Sequence, residues 1–240
     1  MLFHKRTSSA ERSISDSLQC CKPYSRLMAD WDKLQRRARE RYADGEARLP
    51  DDPDARQKQL TRMGNAAGGA GLTALMAGAD GREWFARAAD SYRRSWEHAP
   101  PGSWGRPIGA LKARILAGDW DGAAADARWA LDAGAADEGG AIGRYAAALA
   151  HLVLGDDLAA RADGDALLRQ DFPEHVAGAI RFIALQDPVG YARAVAGVLE
   201  SFETRDEYLE DIPVADTVLV LQALAGRRGM AAELESELLP

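Results

Sequence analysis

The chain has 240 residues, 47% of them hydrophobic and 28% charged, with a net charge of −7. That length and apolar content can bury a full core without a disulfide or metal staple. No apolar run reaches the roughly 20 residues of a membrane span, and Met1-Leu2-Phe3-His4-Lys5-Arg6 leads into polar residues rather than the apolar stretch of a secretion signal, so a cytoplasmic protein is expected.

Alanine is abundant and β-branched residues cluster only between Val214 and Val220, which favours helix nearly everywhere. Arg outnumbers Lys by 25 to 5. A GC-rich genome produces the same bias, so it is not read as a nucleic-acid signature. Residues 1–62 carry 14 Lys and Arg against 10 Asp and Glu, a net of +4, and residues 63–240 carry 16 against 27, a net of −11. An acidic body of this kind repels nucleic-acid phosphates and attracts basic partners.

In chain order, Ser8 and Glu11 form a capping box for a first helix with Ile14, Leu18 and Cys21 on one face, ended by Pro23. Cys20 and Cys21 are adjacent, poorly placed to close a useful disulfide loop, and read as reduced thiols. A second helix carries Tyr24, Leu27, Met28, Trp31 and Leu34 at helical spacing, with a charged far end from Lys33 to Arg41. Leu49-Pro50-Asp51-Asp52-Pro53-Asp54 reads as a linker. The predicted organisation is therefore an N-terminal helical cap or extension over residues 1–50 and a helical-repeat domain over 57–240.

The repeat is written as an apolar helix, a short Gly/Asp break and a second apolar helix. The breaks are Ala77-Gly78-Ala79-Asp80-Gly81, Ala117-Gly118-Asp119, Leu154-Gly155-Asp156 and Leu185-Gln186-Asp187-Pro188, spaced by roughly 30 to 40 residues. Before them, the glycines of Gly64-Asn65-Ala66-Ala67-Gly68-Gly69-Ala70-Gly71 sit inside a helical pattern and follow no strand, so they predict close helix packing rather than a dinucleotide loop. A helix from about Arg82 to His98 turns Phe85, Ala88, Ala89, Tyr92 and Trp96 inward. Helices follow from about Ile108 to Leu116 and Trp120 to Leu131, then a pair carrying Ile142, Tyr145, Leu149 and Leu152 with Leu158, Ala162, Leu167 and Leu168, then a pair carrying Val176, Ile180 and Ile183 with Tyr191, Val195, Val198 and Phe202. Val214 to Ala225 is apolar nearly all round and predicts a buried helix, with Asp211 as N-cap, Pro213 in the first turn and Arg227-Arg228-Gly229 at its end. The fold expected is all-α, a short tetratricopeptide-like solenoid of stacked antiparallel helical hairpins, each covering the apolar face of the last.

No nucleophile elbow, phosphate-cradling loop or zinc-protease helix is present, and His4, His98, His151 and His175 have no ligand spacing, so no catalytic residue, cofactor or metal is expected. Two candidate contact regions remain. Trp104 and Arg106 lie in the stiff loop Pro100-Pro101-Gly102-Ser103-Trp104-Gly105-Arg106-Pro107, the composition of an interface hot spot. The alternative is that Trp104 plugs the seam between two hairpins and Arg106 caps a helix C-terminus. The second region is Glu200 to Asp211, six acids and one arginine in twelve residues, in which Glu203, Asp206, Glu207, Glu210 and Asp211 surround Tyr208 and Leu209. A solvated helix end accounts for some of these acids, but they persist past the helix into a loop.

Gly81-Arg82-Glu83-Trp84-Phe85, Ala99-Pro100-Pro101-Gly102-Ser103-Trp104-Gly105-Arg106-Pro107-Ile108-Gly109-Ala110, Gly118-Asp119-Trp120, and Ser201-Phe202-Glu203 through Asp216-Thr217-Val218 resemble the bacterial immunity protein 49 family, over roughly residues 57–240. That resemblance implies a cytoplasmic antidote of a polymorphic toxin system, which binds and neutralises a cognate toxin and catalyses nothing. Toxins of such systems are often nucleases with basic active sites, so an acidic antidote surface fits a basic toxin by charge. The rival from another class is a helical-repeat scaffold that binds peptides in a concave groove.

Overall fold

The computed structural model describes residues 29–137 and 140–240. The capping box at Ser8, the helix through Ile14 and Leu18, the two cysteines and the start of the second helix at Tyr24 lie outside them. Among the described residues all regular structure is helical. It comprises α1 (Trp31–Ala47), α2 (Pro53–Met76), α3 (Arg82–Trp96), α4 (Gly105–Ala117), α5 (Trp120–Asp132), α6 (Ala141–Leu154), α7 (Asp157–Leu167), α8 (Glu174–Leu185), α9 (Pro188–Glu203), a single 3-10 turn (Leu209–Asp211) and α10 (Asp216–Gly226).

Each helix from α1 to α9 packs on its chain neighbour, as expected of stacked hairpins. In addition α4 touches α2 and α6, and α6 touches α8, so the even helices form a second, continuous layer. α10 lies against α4, α8 and α9 and closes that layer.

The hairpin tips follow from the sequence. Gly118 and Gly155 take left-handed φ values of 69° and 77° that an L side chain resists, and their breaks are closed by Asp119 N–H to Arg114 C=O and Asp156 N–H to His151 C=O. Asp119, Asp156 and Asp187 then cap the next helix, accepting from Gly122, Ala159 and Gly190 N–H. Two of these hairpins also repeat an internal side-chain contact across twelve residues. Asp126 on α5 is bound by Arg114 of α4, and Asp163 on α7 by His151 of α6, whose Nδ1 lies 2.8 Å away; both aspartates are almost fully buried.

The glycines of α2 do set close packing. A Cβ at Gly71 would stand 2.6 Å from the Phe85 ring, and one at Gly64 would stand 2.8 Å from Tyr92. The segment at 49–54 is a tight turn rather than a linker: Asp52 caps α2, Pro53 opens it, and the proposed boundary at 57 falls inside that helix. Of the cap expected over residues 1–50, the described part is α1, which joins α2 as the first hairpin.

α10 is a buried helix, but it begins later than the sequence suggests. Its N-cap position is Ala215, which makes no side-chain cap, while Asp211 lies outside the helix in a left-handed turn. The Ala215 N–H is satisfied instead by the carbonyl of Leu238, 3.0 Å away. Asp216, in the first turn, binds Lys112 of α4, and Lys112 also donates to Thr217 at 3.1 Å. Burial works against the Lys112 ammonium, yet the Asp216 carboxylate outweighs it and holds its pKa above the ordinary 10.5.

Three outcomes follow. Gly71→Val should lower stability by about 1 to 3 kcal/mol, because the fully buried Phe85 has no room to move aside, and a urea titration reads this as a lower midpoint. For Lys112 the folded pKa is raised, so its contribution is complete below pH 10.5 and is lost as pH climbs through the folded value. Burial raises Tyr92, Tyr145 and Tyr191 in the same direction from 10.0. The urea midpoint should therefore fall above about pH 10. Lys112→Met alone should cost about 2 to 4 kcal/mol at neutral pH by orphaning a half-buried carboxylate, and adding Asp216→Leu should restore most of it.

Candidate interface at the acidic end

The acidic stretch divides into two parts that face different neighbours. α9 carries Glu200 and Glu203 to its last turn with Phe202 buried beneath them. Arg205, exposed, then folds back over the Phe202 ring at 3.6 Å and donates its Nε–H to the Ser201 carbonyl, and it forms no ion pair with the acids of the stretch among the described residues. The Tyr208 hydroxyl donates to the Phe202 carbonyl at 2.6 Å and pins the loop against the end of the helix. Asp206 and Glu207 are left at the exposed tip, followed by Leu209, 65% exposed.

The chain end supplies the neighbours that the sequence pattern did not reveal. From Met230 onward it runs without helix, held by Gln222, which donates to the Ala232 carbonyl and accepts from its N–H, and by the buried Leu238. Side chains alternate along it, so Glu233, Glu235 and Glu237 point to solvent while Leu234, Ser236 and Leu238 face inward. Ser236 donates to Glu203 at 2.7 Å, which fixes this strip beside the end of α9. Seven exposed carboxylates result: Glu200, Glu203, Asp206, Glu207, Glu233, Glu235 and Glu237. The period-two pattern Glu233-Leu234-Glu235-Ser236-Glu237-Leu238 was the available signal for the last three.

Glu210 and Asp211 belong elsewhere. Both adopt left-handed φ, 58° and 59°, a conformation that costs a non-glycine residue about 1 to 2 kcal/mol. They are held there by α1: Arg41 binds Glu210 at 2.6 Å and Arg37 binds Asp211 at 2.8 Å. Ile212 follows, buried on α2, where a Cβ at Gly69 would come within 2.5 Å of it. These two acids thus clasp the loop to α1; Glu210 is largely covered there, which corrects its assignment to a partner, while Asp211 stays exposed.

Trp104 and Arg106 are corrected too. Trp104 is 4% exposed, tilted against Trp96 with ring centroids 5.3 Å apart and packed with Ala135, Ala146 and Ala147. It plugs the seam and presents no surface. Arg106 caps no helix C-terminus; it crosses to α2 and binds the buried Gln57 side chain, where burial lowers its pKa. Loop composition alone could not separate an aromatic facing out from one facing in. Neither residue lies with the acidic end.

Among the described residues no group of three or more His, Cys, Asp or Glu side chains could hold a metal ion, and no helix is long and apolar enough to cross a membrane. No protein family, curated protein or solved structure matches the chain.

The division of the acids has a measurable consequence. Asp206→Lys with Glu207→Lys and Glu235→Lys should change stability by no more than about 0.5 kcal/mol per site, since all three are exposed. Glu210→Lys with Asp211→Lys should cost about 1 to 2 kcal/mol by opposing like charges at α1, and added salt should narrow the gap between the two variants in thermal melts.

Proposed function

We propose that this chain is an antidote that binds and occludes a basic cognate toxin through the acidic face formed by α9, the loop at 206–207 and the chain end. The observation that carries the reading is the gathering of seven exposed carboxylates from three segments onto one end of the stack, against a single arginine of the loop, Arg205, laid over Phe202. Such a face attracts a basic partner before contact and raises its association rate, an effect that fades with ionic strength. Leu209, with Tyr208 half-buried beside it, supplies an apolar anchor at the same loop. The sequence resemblance to the immunity protein 49 family, a cytoplasmic antidote family, supports the same reading. A nuclease toxin, with a basic active site, fits the charge. The role is binding, and no reaction is assigned to it.

A peptide-binding scaffold of tetratricopeptide type fits the surface less well. Such proteins receive peptides along the inner layer of their helices, and here α10 occupies the inner layer with Val218, Val220, Leu221 and Leu224 fully buried.

The test is a tagged pull-down from the source organism with mass spectrometry, alongside growth protection against the captured toxin. One stoichiometric partner is expected, and it should be lost with protection in the Asp206→Lys, Glu207→Lys, Glu235→Lys variant. A spread of weak partners, or one tight partner retained by that variant, would remove this assignment.

A further inference from the structure

The turn that follows the acidic loop holds a conformation its own residues do not favour. The Ile212 N–H donates to the Leu209 carbonyl at 3.2 Å, closing a β-turn whose central residues are Glu210 and Asp211. Both are left-handed, Glu210 at φ 58° and ψ 18° and Asp211 at φ 59°. Positive φ at both central positions marks a type I′ turn, for which Asn-Gly is the preferred pair. Glutamate has neither the freedom of glycine nor the short side chain with which asparagine and aspartate support a left-handed backbone.

Fixed points lie on either side of this turn. Before it, the Tyr208 hydroxyl is held by the Phe202 carbonyl at the end of α9. After it, Ile212 is buried against Ala38 and Ala70. The side-chain bonds that hold the turn between them come from α1, where Arg41 reaches Glu210 and Arg37 reaches Asp211. These arginines are 39% and 48% exposed. An open cleft of ≈ 630 Å³ between α1 and α2, bordered by Arg41, Arg62 and Glu210, brings solvent ions to the inner pair. Ion pairs of this exposure are weak and screened by salt, and they are similar in size to the backbone cost they offset. The balance between the two is therefore close and is set by ionic conditions.

We infer that the turn at 209–212 is an electrostatic latch, closed by Arg37 and Arg41 and released when salt or a competing cation takes its carboxylates, while α9, α10 and the first hairpin stay folded. Closed, it keeps Glu210 and Asp211 on α1. Released, it adds both acids to Asp206 and Glu207 and frees Leu209, so the latch sets how much charge the loop presents. A central pair with a local preference for the left-handed backbone would stay closed in any salt. Glu210 and Asp211 make closure conditional on α1. The latch is a property of the chain alone and does not depend on the antidote reading.

The test is amide hydrogen exchange of the full chain, read residue by residue by NMR in about 0.1 M and about 1 M NaCl, between which the Debye length falls from about 10 Å to about 3 Å. The Asp211 and Ile212 amides, bonded to the Tyr208 and Leu209 carbonyls, should lose protection roughly fivefold at the higher salt. The Leu221 and Leu224 amides of α10 should keep theirs, which separates release of the turn from unfolding. Arg37→Gln with Arg41→Gln should show the low protection in both salts. Glu210→Asn with Asp211→Gly suits the turn without charge and should keep the high protection in both. The latch is overturned if the turn amides of the parent ignore salt, if they exchange together with those of α10, or if the Asn-Gly variant exchanges as fast as the arginine variant.

Discussion

The structure depends on the burial of one helix that has no polar face. α10 is apolar nearly all round and can be stable only if covered on every side, which α4, α8, α9 and the returning chain end accomplish together. Val218, Val220, Leu221 and Leu224 are fully buried, each contributing about 1.5 to 3 kcal/mol from water exclusion. The helix must also be set in one register, and a non-directional force cannot do that. The ion pair from Lys112 to Asp216 does so at one end, and Arg228 at the other, where it donates to the Leu152 carbonyl at 3.0 Å and pairs with Asp157. α10 thereby binds α4 to α9 and turns an open row of hairpins into a closed body. The chain end that completes its cover is the same segment that displays Glu233, Glu235 and Glu237.

Close approach of small residues makes this arrangement possible. Alanines with no exposure line the contacts throughout, including Ala67, Ala88, Ala110, Ala127, Ala147, Ala160 and Ala179. A core made of methyl groups brings helix axes near one another but holds little apolar volume, so a few large side chains carry much of the packing. Phe85, Met63, Leu149, Ile180 and Tyr191 do so in the interior. The tryptophans mostly remain at the margins of this narrow core, half-buried, with an arginine laid over the exposed ring of Trp84, Trp120 and Trp129. An open groove between α1, α3 and α5 is a product of that crowding: rings too large for the alanine seams line the surface between helices.

What the sequence revealed follows the range of the interactions. Helix positions and hairpin tips are local, set within a few residues by Gly118, Gly155 and the aspartate caps, and the pattern placed them closely. The helix from Arg82 ends at Trp96 rather than His98, a matter of half a turn. Trp104 was ambiguous because its direction is decided by Trp96 and Ala147 on other helices. Asp211 has every local attribute of an N-cap, ahead of a proline and an apolar run, yet Arg37 draws it into another turn. Asp126 and Asp163 stand twelve residues after Arg114 and His151, and their burial and pairing follow only from the stacking of neighbouring hairpins. Among the acids of the C-terminal third, sequence showed the charge, and only the fold separates those paired with α1 from those without a cation among the described residues.

The clasp from Arg37 and Arg41 to Asp211 and Glu210 joins positions 174 and 169 residues apart. A solenoid whose repeats touch only their neighbours can fold from its first hairpin while the rest is still being made. This one cannot finish that way. At a synthesis rate of about 5 to 20 residues per second, α1 precedes its acidic partners by roughly 10 to 30 seconds. Through that interval α1 rests on α2 and α3 alone, without its closing contact. The first hairpin therefore gains its closing contact only when the residues around Glu210 arrive, just ahead of α10 and the chain end that close the other layer.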